Sequence, residues 1–113
     1  MERFMEPCLL LLLLEKPSHG YDLISRLVEF GFGENQDPGM VYRNLRRLEE
    51  QGMISSRWDT AGAGPARRFY EVTGEGTDYL AAWAQTIRQH VKTLEKFLEW
   101  YEALRKGERP SST

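Results

Sequence analysis

Three arginines, a tyrosine and an asparagine lie close together in the segment from residue 42 to 47. Arginine can donate two parallel hydrogen bonds to a guanine edge, and asparagine can pair in the same way with adenine. Arginine also binds phosphate oxygens through its planar fork of N–H donors. This cluster therefore predicts contact with duplex DNA, the simpler alternative being a solvated helix face. Its members are Tyr42, Arg43, Asn44, Arg46 and Arg47.

The residues around the cluster predict a helix that holds it in place. Asp37 is a typical N-cap, and Pro38 suits the first helical position because the N–H it lacks would have no partner there. Val41, Leu45 and Leu48 follow the i, i+4, i+7 spacing of a buried helical face. The polar cluster is then left on the outer faces of the helix.

The first half of such a helix is the part that enters the major groove. Arginines nearer its end are better placed to reach the phosphates. We therefore expect base contacts from Gly39, Met40, Tyr42 and Arg43, and phosphate contacts from Arg46 and Arg47. Asn44 is expected at the border between the buried face and the outer faces of the helix.

The charge distribution supports a local basic surface in an acidic protein. The 113-residue chain has a formal net charge of −2, which argues against a general polycation that coats nucleic acid. Residues 40–70 contain six arginines and three acidic residues, a net charge of +3, which leaves −5 for the rest of the chain. Positive charge is thus concentrated in the middle of the sequence.

A β-hairpin is predicted directly after this helix. Residues 53–59 and 66–72 have strand character, and a segment rich in glycine, alanine and proline separates them. Arg67 and Arg68 begin the second strand, where a wing can reach phosphates or the minor groove. Alternation along the strand sends their side chains to opposite faces, so only one is expected to contact DNA. The alternative is that both protect the hairpin from edge-to-edge pairing.

Two helices are predicted before the arginine-rich one. Residues 2–16 are apolar almost all round, which indicates a helix buried on more than one side. Ser18 is expected to cap a second helix that ends near residue 30, and Gly31, Gly33 and Asn35 are expected in a loop. Its expected inner stripe comprises Tyr21, Ile24, Leu27 and Val28.

A long helix is predicted at the end of the chain, from about residue 75 to 105, with Thr73 as its N-cap. Apolar residues recur along it at near-heptad spacing, so one edge requires a partner, and we expect dimerisation. The fold class is therefore mainly α with a small β-hairpin (α+β): a winged helix-turn-helix plus a C-terminal dimerisation helix. The expected parts are a DNA-binding domain (1–74), the dimerisation helix (75–106) and a flexible tail (107–113).

Several other classes of protein do not fit the sequence. Cys8 is the only cysteine, so no internal disulfide or cysteine zinc site can form, and the two histidines are far apart. No nucleophile–base spacing or phosphate-binding glycine loop is present, so we expect no enzyme, metal or cofactor. The apolar run 8–14 is much shorter than the roughly 20 residues of a membrane span. We expect a cytoplasmic protein that does not contact membranes.

Segments 20–24 (GYDLI), 39–54 (GMVYRNLRRLEEQGMI) and 67–76 (RRFYEVTGEG) resemble the PadR family of bacterial transcriptional regulators. The resemblance covers nearly the whole chain, and the single last helix is similar to the shorter subgroup, which includes multidrug-responsive repressors. It implies a homodimeric repressor whose first and last helices form the dimer, and it implies that Tyr21 and Tyr42 lie near the DNA operator. Arg43 occupies a position where many members carry proline.

The aromatic residues of the last helix suggest a small aromatic effector, bound between flat rings. The expected pocket residues are Met5, Cys8, Leu9, Leu12, Trp83, Ile87, His90, Phe97 and Trp100. The simpler alternative is that the aromatic side chains only fill the dimer interface. The alternative function for the whole chain is a winged-helix protein-interaction module without DNA binding.

Overall fold

The computed structural model describes residues 3–32 and 37–107. These residues form α1 (Met5–Glu15), β1 (Ser18–His19), α2 (Gly20–Leu27), a 3-10 turn (Val28–Phe30), α3 (Pro38–Glu50), β2 (Ile54–Asp59), β3 (Arg67–Val72) and α4 (Gly74–Arg105). The predicted fold class is confirmed: a mainly helical winged helix-turn-helix, with a small antiparallel sheet and a long last helix. The predictions for Gly33, Asn35 and the tail beyond residue 107 lie outside the described residues.

Helix α1 is buried over most of its circumference, as its nearly continuous apolar sequence predicts. The side chains of residues 5–10 are buried, together with Leu12 and Leu13. Apart from Glu6 and Pro7, these side chains form one hydrophobic core with the inner faces of α2 and α3 and with β2 and β3. Leu11 and Leu14 are the apolar residues of this helix that are exposed.

Strand β1 is a feature that the sequence did not predict. Ser18 and His19 pair antiparallel with Tyr70 and Phe69 of β3, which gives the strand order β1-β3-β2. The prediction that Ser18 caps α2 is wrong, because His19 takes the capping position. The Ser18 hydroxyl is used elsewhere: it accepts a hydrogen bond of 2.8 Å from Arg26 Nη1.

The inner stripe of α2 also differs from the prediction. Tyr21 is 67% exposed and Val28 is exposed, whereas Leu23 and Leu27 are fully buried and Ile24 packs against the core. Tyr21 precedes Leu23 by two residues and therefore lies on the opposite side of the helix. Val28 opens the tighter 3-10 turn, in which the α-helical spacing no longer applies.

Helix α3 forms as predicted. The Asp37 carboxylate accepts a hydrogen bond of 2.9 Å from the Gly39 N–H, and Pro38 is the first helical residue. The apolar spacing correctly identifies three fully buried residues, Val41, Leu45 and Leu48.

The predicted hairpin and the predicted cap of the last helix are both present. Strands β2 and β3 pair antiparallel, with Ile54 opposite Val72 at one end and Asp59 opposite Arg67 at the other. The Thr73 hydroxyl accepts a hydrogen bond of 3.0 Å from the backbone N–H of residue 76 in the first turn of α4.

The chain divides into two compact units, residues 1–81 and 82–113. The first contains α1 to β3 and the first two turns of α4, and the second contains the remainder of that helix. Within residues 3–32 and 37–107, no helix has both the length and the hydropathy of a transmembrane span.

Candidate nucleic-acid interface

The outer side of α3 presents a ridge made of Gly39, Arg43 and Arg46, which we call the outer ridge. Each of these residues precedes a buried position of the same helix by two, so the ridge lies on the side opposite the core. Arg46 is exposed, and 61% of the Arg43 side chain is accessible. The outer ridge can therefore offer two guanidinium groups to a partner.

Arg43 is held loosely at the start of the helix. Its Nη2 atom lies 3.7 Å from Oδ2 of Asp37, and both side chains are well exposed. A Cβ on Gly39 would lie 3.3 Å from Arg43 Nη1, so the glycine leaves room for the guanidinium to fold back over the first turn. Because exposed ion pairs are weak and screened by salt, Arg43 can exchange Asp37 for a base or phosphate at little cost.

One flank of α3 faces α1 and includes three of the predicted contact residues. Asn44 Nδ2 donates a hydrogen bond of 2.9 Å to the carbonyl of Met40 and lies 3.5 Å from Met5 Sδ. Arg47 Nη1 lies 3.9 Å from Oε2 of the buried Glu6. Asn44 and Arg47 therefore direct their polar ends towards α1, whereas the Met40 side chain is exposed.

Tyr42 lies on the other flank, near the start of α2. A Cβ added to Gly20 would lie 2.7 Å from Tyr42 Cε1, so the ring sits directly over this glycine. Tyr21 follows Gly20 and is largely exposed. The structure thus brings the two predicted tyrosine positions to the same junction between α2 and α3.

Arg67 and Arg68 point to opposite faces of the hairpin, as strand alternation predicts. The Arg68 guanidinium lies over the Trp58 ring, 4.8 Å from its centroid, and 3.9 Å from Glu49 Oε2 at the end of α3. Arg67 is exposed and stands opposite Asp59 in the pairing of the two strands. Arg68 therefore helps to attach the hairpin to α3, and Arg67 is the more accessible of the two.

Sequence reasoning missed two side chains on the hairpin that could contact a partner. Trp58 is 61% exposed and carries Arg68 on its ring. Arg57 is also exposed and lies over the Phe69 ring, 4.7 Å from the centroid. The sequence signal was an arginine–tryptophan pair in a strand next to a glycine-rich turn, which adds aromatic surface to the basic wing.

His19 connects the loop end of the hairpin, at Asp59, to the start of α2. Its Nε2 atom lies 2.9 Å from Asp59 Oδ2, and its Nδ1 atom lies 3.4 Å from Asp22 Oδ2. The pKa of the Asp59 carboxyl is lowered because it is hydrogen-bonded to the Ala61 backbone N–H and to the His19 ring. These contacts hold the hairpin against the start of α2, the helix that precedes α3.

The predicted effector-binding residues fall into two groups. Those on α1 lie in the core of the first unit, where Leu9 is fully buried and Met5, Cys8 and Leu12 are nearly so. Burial raises the pKa of the Cys8 thiol to about 11, as expected for a thiol in apolar surroundings. These four side chains can meet a ligand only if the core opens.

The second group lies along α4. Trp83 and Ile87 are partly exposed, and His90, Phe97 and Trp100 are exposed. Phe97 and Trp100 line a shallow apolar groove of about 310 Å³ with Tyr101 and Leu104. The Phe97 and Tyr101 rings are parallel, with 6.4 Å between their centroids.

Comparison with known proteins gives consistent results. Residues 9–82 match the family described as "Transcriptional regulator PadR-like family". The chain is similar in structure to a conserved protein of unknown function described as a potential transcriptional factor. That pair has 35% identity and a TM-score of 0.77, with 89% of this chain and 90% of the other covered. None of the curated proteins matches the chain.

Two further similar structures are named as PadR proteins. One is a PadR family transcription regulator from Clostridium difficile R20291, with 27% identity, a TM-score of 0.74, and coverage of 84% of this chain and 98% of the other. The other is Bacillus subtilis PadR in complex with operator DNA, with 26% identity and a TM-score of 0.65. That match covers 74% of this chain and 48% of the other.

Proposed function

This chain belongs to the PadR-like family of transcriptional regulators, and from this we propose that it is a homodimeric repressor that binds a specific DNA operator. The observation that carries the proposal is the outer ridge of α3. It places Arg43 and Arg46 in the open on a helix whose opposite face is fully buried. A helix held in this way can enter the major groove without disturbing the core. A regulator of this kind acts in the cytoplasm.

The proposed DNA contacts differ between the two halves of α3. Its N-terminal half is the part that reaches the bases, and Arg43 can form a bidentate pair with guanine after it leaves Asp37. Arg46, one turn further on, is exposed, and we assign it to a backbone phosphate. The residues proposed to lie close to the bases are Gly39, Met40, Tyr42 and Arg43, with Tyr21 beside them.

The hairpin supplies a second contact to the DNA. Arg67 is exposed near its tip, where a side chain can reach a phosphate or the minor groove. Arg68 is engaged with Trp58 and Glu49, so its role is to keep the hairpin in place. We therefore assign the wing contact to Arg67 rather than to Arg68.

Dimerisation is supported by apolar side chains that the single chain leaves exposed. Leucines and aromatic residues of α4 are open along the second half of the helix, among them Leu94, Leu98 and Leu104. In the first unit, Leu11, Leu14 and Phe30 border an apolar groove of about 400 Å³. Contiguous exposed apolar surfaces are typical of interfaces. We assign both surfaces to contacts with a second copy of the chain.

The same aromatic surface supports an effector that releases the repressor. A planar apolar molecule held by Trp100 and Phe97 near the dimer contact would change the spacing of the two α3 helices and lower operator affinity. Titration with planar hydrophobic dyes tests this. Quenching of tryptophan fluorescence together with loss of operator binding supports an effector, and no change in either excludes one from this class.

The alternative is a winged-helix module that binds a protein instead of DNA. Arg43 and Arg46 are exposed on α3, and Arg57 and Arg67 are exposed on the hairpin. These four guanidinium groups favour the DNA-binding function because they match phosphates. Selection of bound duplexes from a random pool by the purified chain separates the two functions. The repressor predicts a palindromic consensus with two half-sites. Failure to enrich any sequence would favour the interaction module.

A further inference from the structure

Glu6 is a charged residue inside an apolar core. It lies in the first turn of α1 between Met5 and Pro7, and its accessible surface is 0%. Acidic side chains are almost never fully buried unless they have a partner. The proposed DNA contacts do not involve this residue.

The partners of Glu6 lie at unusually long distances. Arg47 Nη1 is 3.9 Å from Oε2, and the Tyr79 hydroxyl donates a hydrogen bond of 3.5 Å to Oε1. Oε2 accepts no hydrogen bond from the described residues. Charge-assisted hydrogen bonds are normally about 2.7–2.9 Å long. Arg47 is thus the cation that faces the carboxylate, and Oε2 lacks a hydrogen-bond donor among the described residues.

Three helices meet at this carboxylate. Glu6 belongs to α1, Arg47 to the DNA-facing α3, and Tyr79 to the beginning of α4 within the first unit. The neighbouring contact of Asn44 with Met5 joins α3 to α1 at the same place. Polar contacts therefore link α3 to α1 on this side, in addition to the packing of Val41, Leu45 and Leu48 in the core.

We propose that Glu6 is a positioning residue for DNA binding: it keeps Arg47 against α1, and so sets the rotation of α3 that presents the outer ridge. The inference rests on the proposed DNA-binding function. It changes the role expected of Arg47, which acts as the counter-ion of a buried acid and not as a phosphate ligand. A buried carboxylate that loses its cation is left uncompensated, so Arg47 stays in place when DNA is bound.

Neighbouring arginines provide a matched test. In operator titrations over a range of salt concentrations, Arg46→Gln should flatten the slope of log affinity against log salt by about one, because one phosphate contact is lost. Arg47→Gln should lower operator affinity by roughly tenfold and leave the slope unchanged, because it disturbs the position of α3 and not a phosphate contact. A slope change equal to that of Arg46→Gln would overturn the proposal.

Glu6→Gln completes the experiment, since it keeps the shape of the side chain and removes its charge. We expect a folded protein whose ratio of operator to random-DNA affinity falls by roughly tenfold. The double variant with Arg47→Gln should lose no more than the larger single effect, as expected for two residues that act as a pair. Independent, additive losses, or an unchanged ratio for Glu6→Gln, would refute the pairing.

Two outcomes separate this inference from the function on which it rests. If the wild-type chain binds no operator, the proposed function fails and the role of Glu6 fails with it. If the wild type binds normally and Arg47→Gln flattens the slope, only the role of Glu6 fails. Should Glu6→Gln not fold, the comparison of Arg47→Gln with Arg46→Gln still decides the question.

Discussion

The ring of Tyr42 rests on Gly20, so closely that a Cβ on the glycine would lie 2.7 Å from the ring carbon Cε1. This contact joins α2 to α3 at the end of α3 that faces the proposed DNA site. The missing side chain of residue 20 thus determines where the Tyr42 ring, one of the proposed base-proximal groups, can lie.

We therefore predict that Gly20→Ala lowers operator affinity while the temperature of thermal unfolding changes little. The obstacle is the far end of a side chain, which can rotate away, so the fold should persist while Tyr42 shifts. Binding titrations and thermal unfolding of the same preparation measure the two effects. Gly74→Ala is the matched control, because Gly74 is also the first residue of a helix and an added Cβ would meet nothing within 4 Å. Equal operator affinity for wild type and Gly20→Ala would contradict the prediction.

Gly76 should be essential for stability. A Cβ there would lie 2.0 Å from the carbonyl oxygen of Met53, a backbone atom that cannot rotate away. Overpacking of this kind costs about 1–3 kcal/mol, so Gly76→Ala should lower Tm by roughly 5–20 °C. Calorimetry of Gly76→Ala beside Gly74→Ala isolates the steric effect, since both add one methyl group to the first turn of α4. A Tm for Gly76→Ala within a degree of the control would show that the close approach does not exist in solution.

The exposed leucines of α4 should hold the dimer together. Leu98 is 57% exposed in the single chain, and its replacement by lysine would bury an unpaired charge at the proposed interface. We expect Leu98→Lys to weaken dimerisation roughly 100-fold, as measured by sedimentation equilibrium. Gln89→Lys adds the same charge to an exposed polar position of the same helix and should leave the dimer intact. If both variants sediment as the wild type does, this face does not form the dimer.

We predict that the buried thiol of Cys8 makes the protein less stable at alkaline pH. Burial raises the pKa of its thiol from 9.0 to about 11, so the folded chain retains a proton that the unfolded chain releases. The contribution is fully present below pH 9 and is lost as the pH rises, by about 2 kcal/mol up to pH 11. Urea unfolding between pH 8 and 11 should show this decrease in the wild type and a shallower one in Cys8→Ala. Parallel pH profiles for the two proteins would mean that the thiol titrates normally.

The parts of the fold that depend on local sequence were predictable. Asp37 and Pro38 define the start of α3 by capping chemistry, and the spacing of its apolar residues identifies its buried face. Thr73 marks the start of α4 in the same way. Each of these features depends on residues that are only a few positions apart.

Features that depend on distant residues were missed. Strand β1 exists only because Ser18 and His19 pair with β3, about 50 positions later in the chain, and this pairing removes Ser18 from the capping position. The helical repeat predicts that Asn44 lies at the border between the buried and outer faces of α3, and that Arg47 lies on an outer face. Only the contacts of these side chains with Met5 and Glu6 show that both turn towards α1.

The central claim is that the outer ridge of α3 reads a DNA sequence through Arg43. Its most direct test is the ratio of affinities for a selected operator and a scrambled duplex at one salt concentration, compared between the wild type and Arg43→Ala. Arg88→Ala, which removes an exposed arginine from α4, is the control. The proposed function predicts a wild-type ratio of about 1,000 or more, a fall of roughly 10- to 100-fold for Arg43→Ala, and no change for Arg88→Ala. An Arg43→Ala protein that retains the wild-type ratio would contradict the claim.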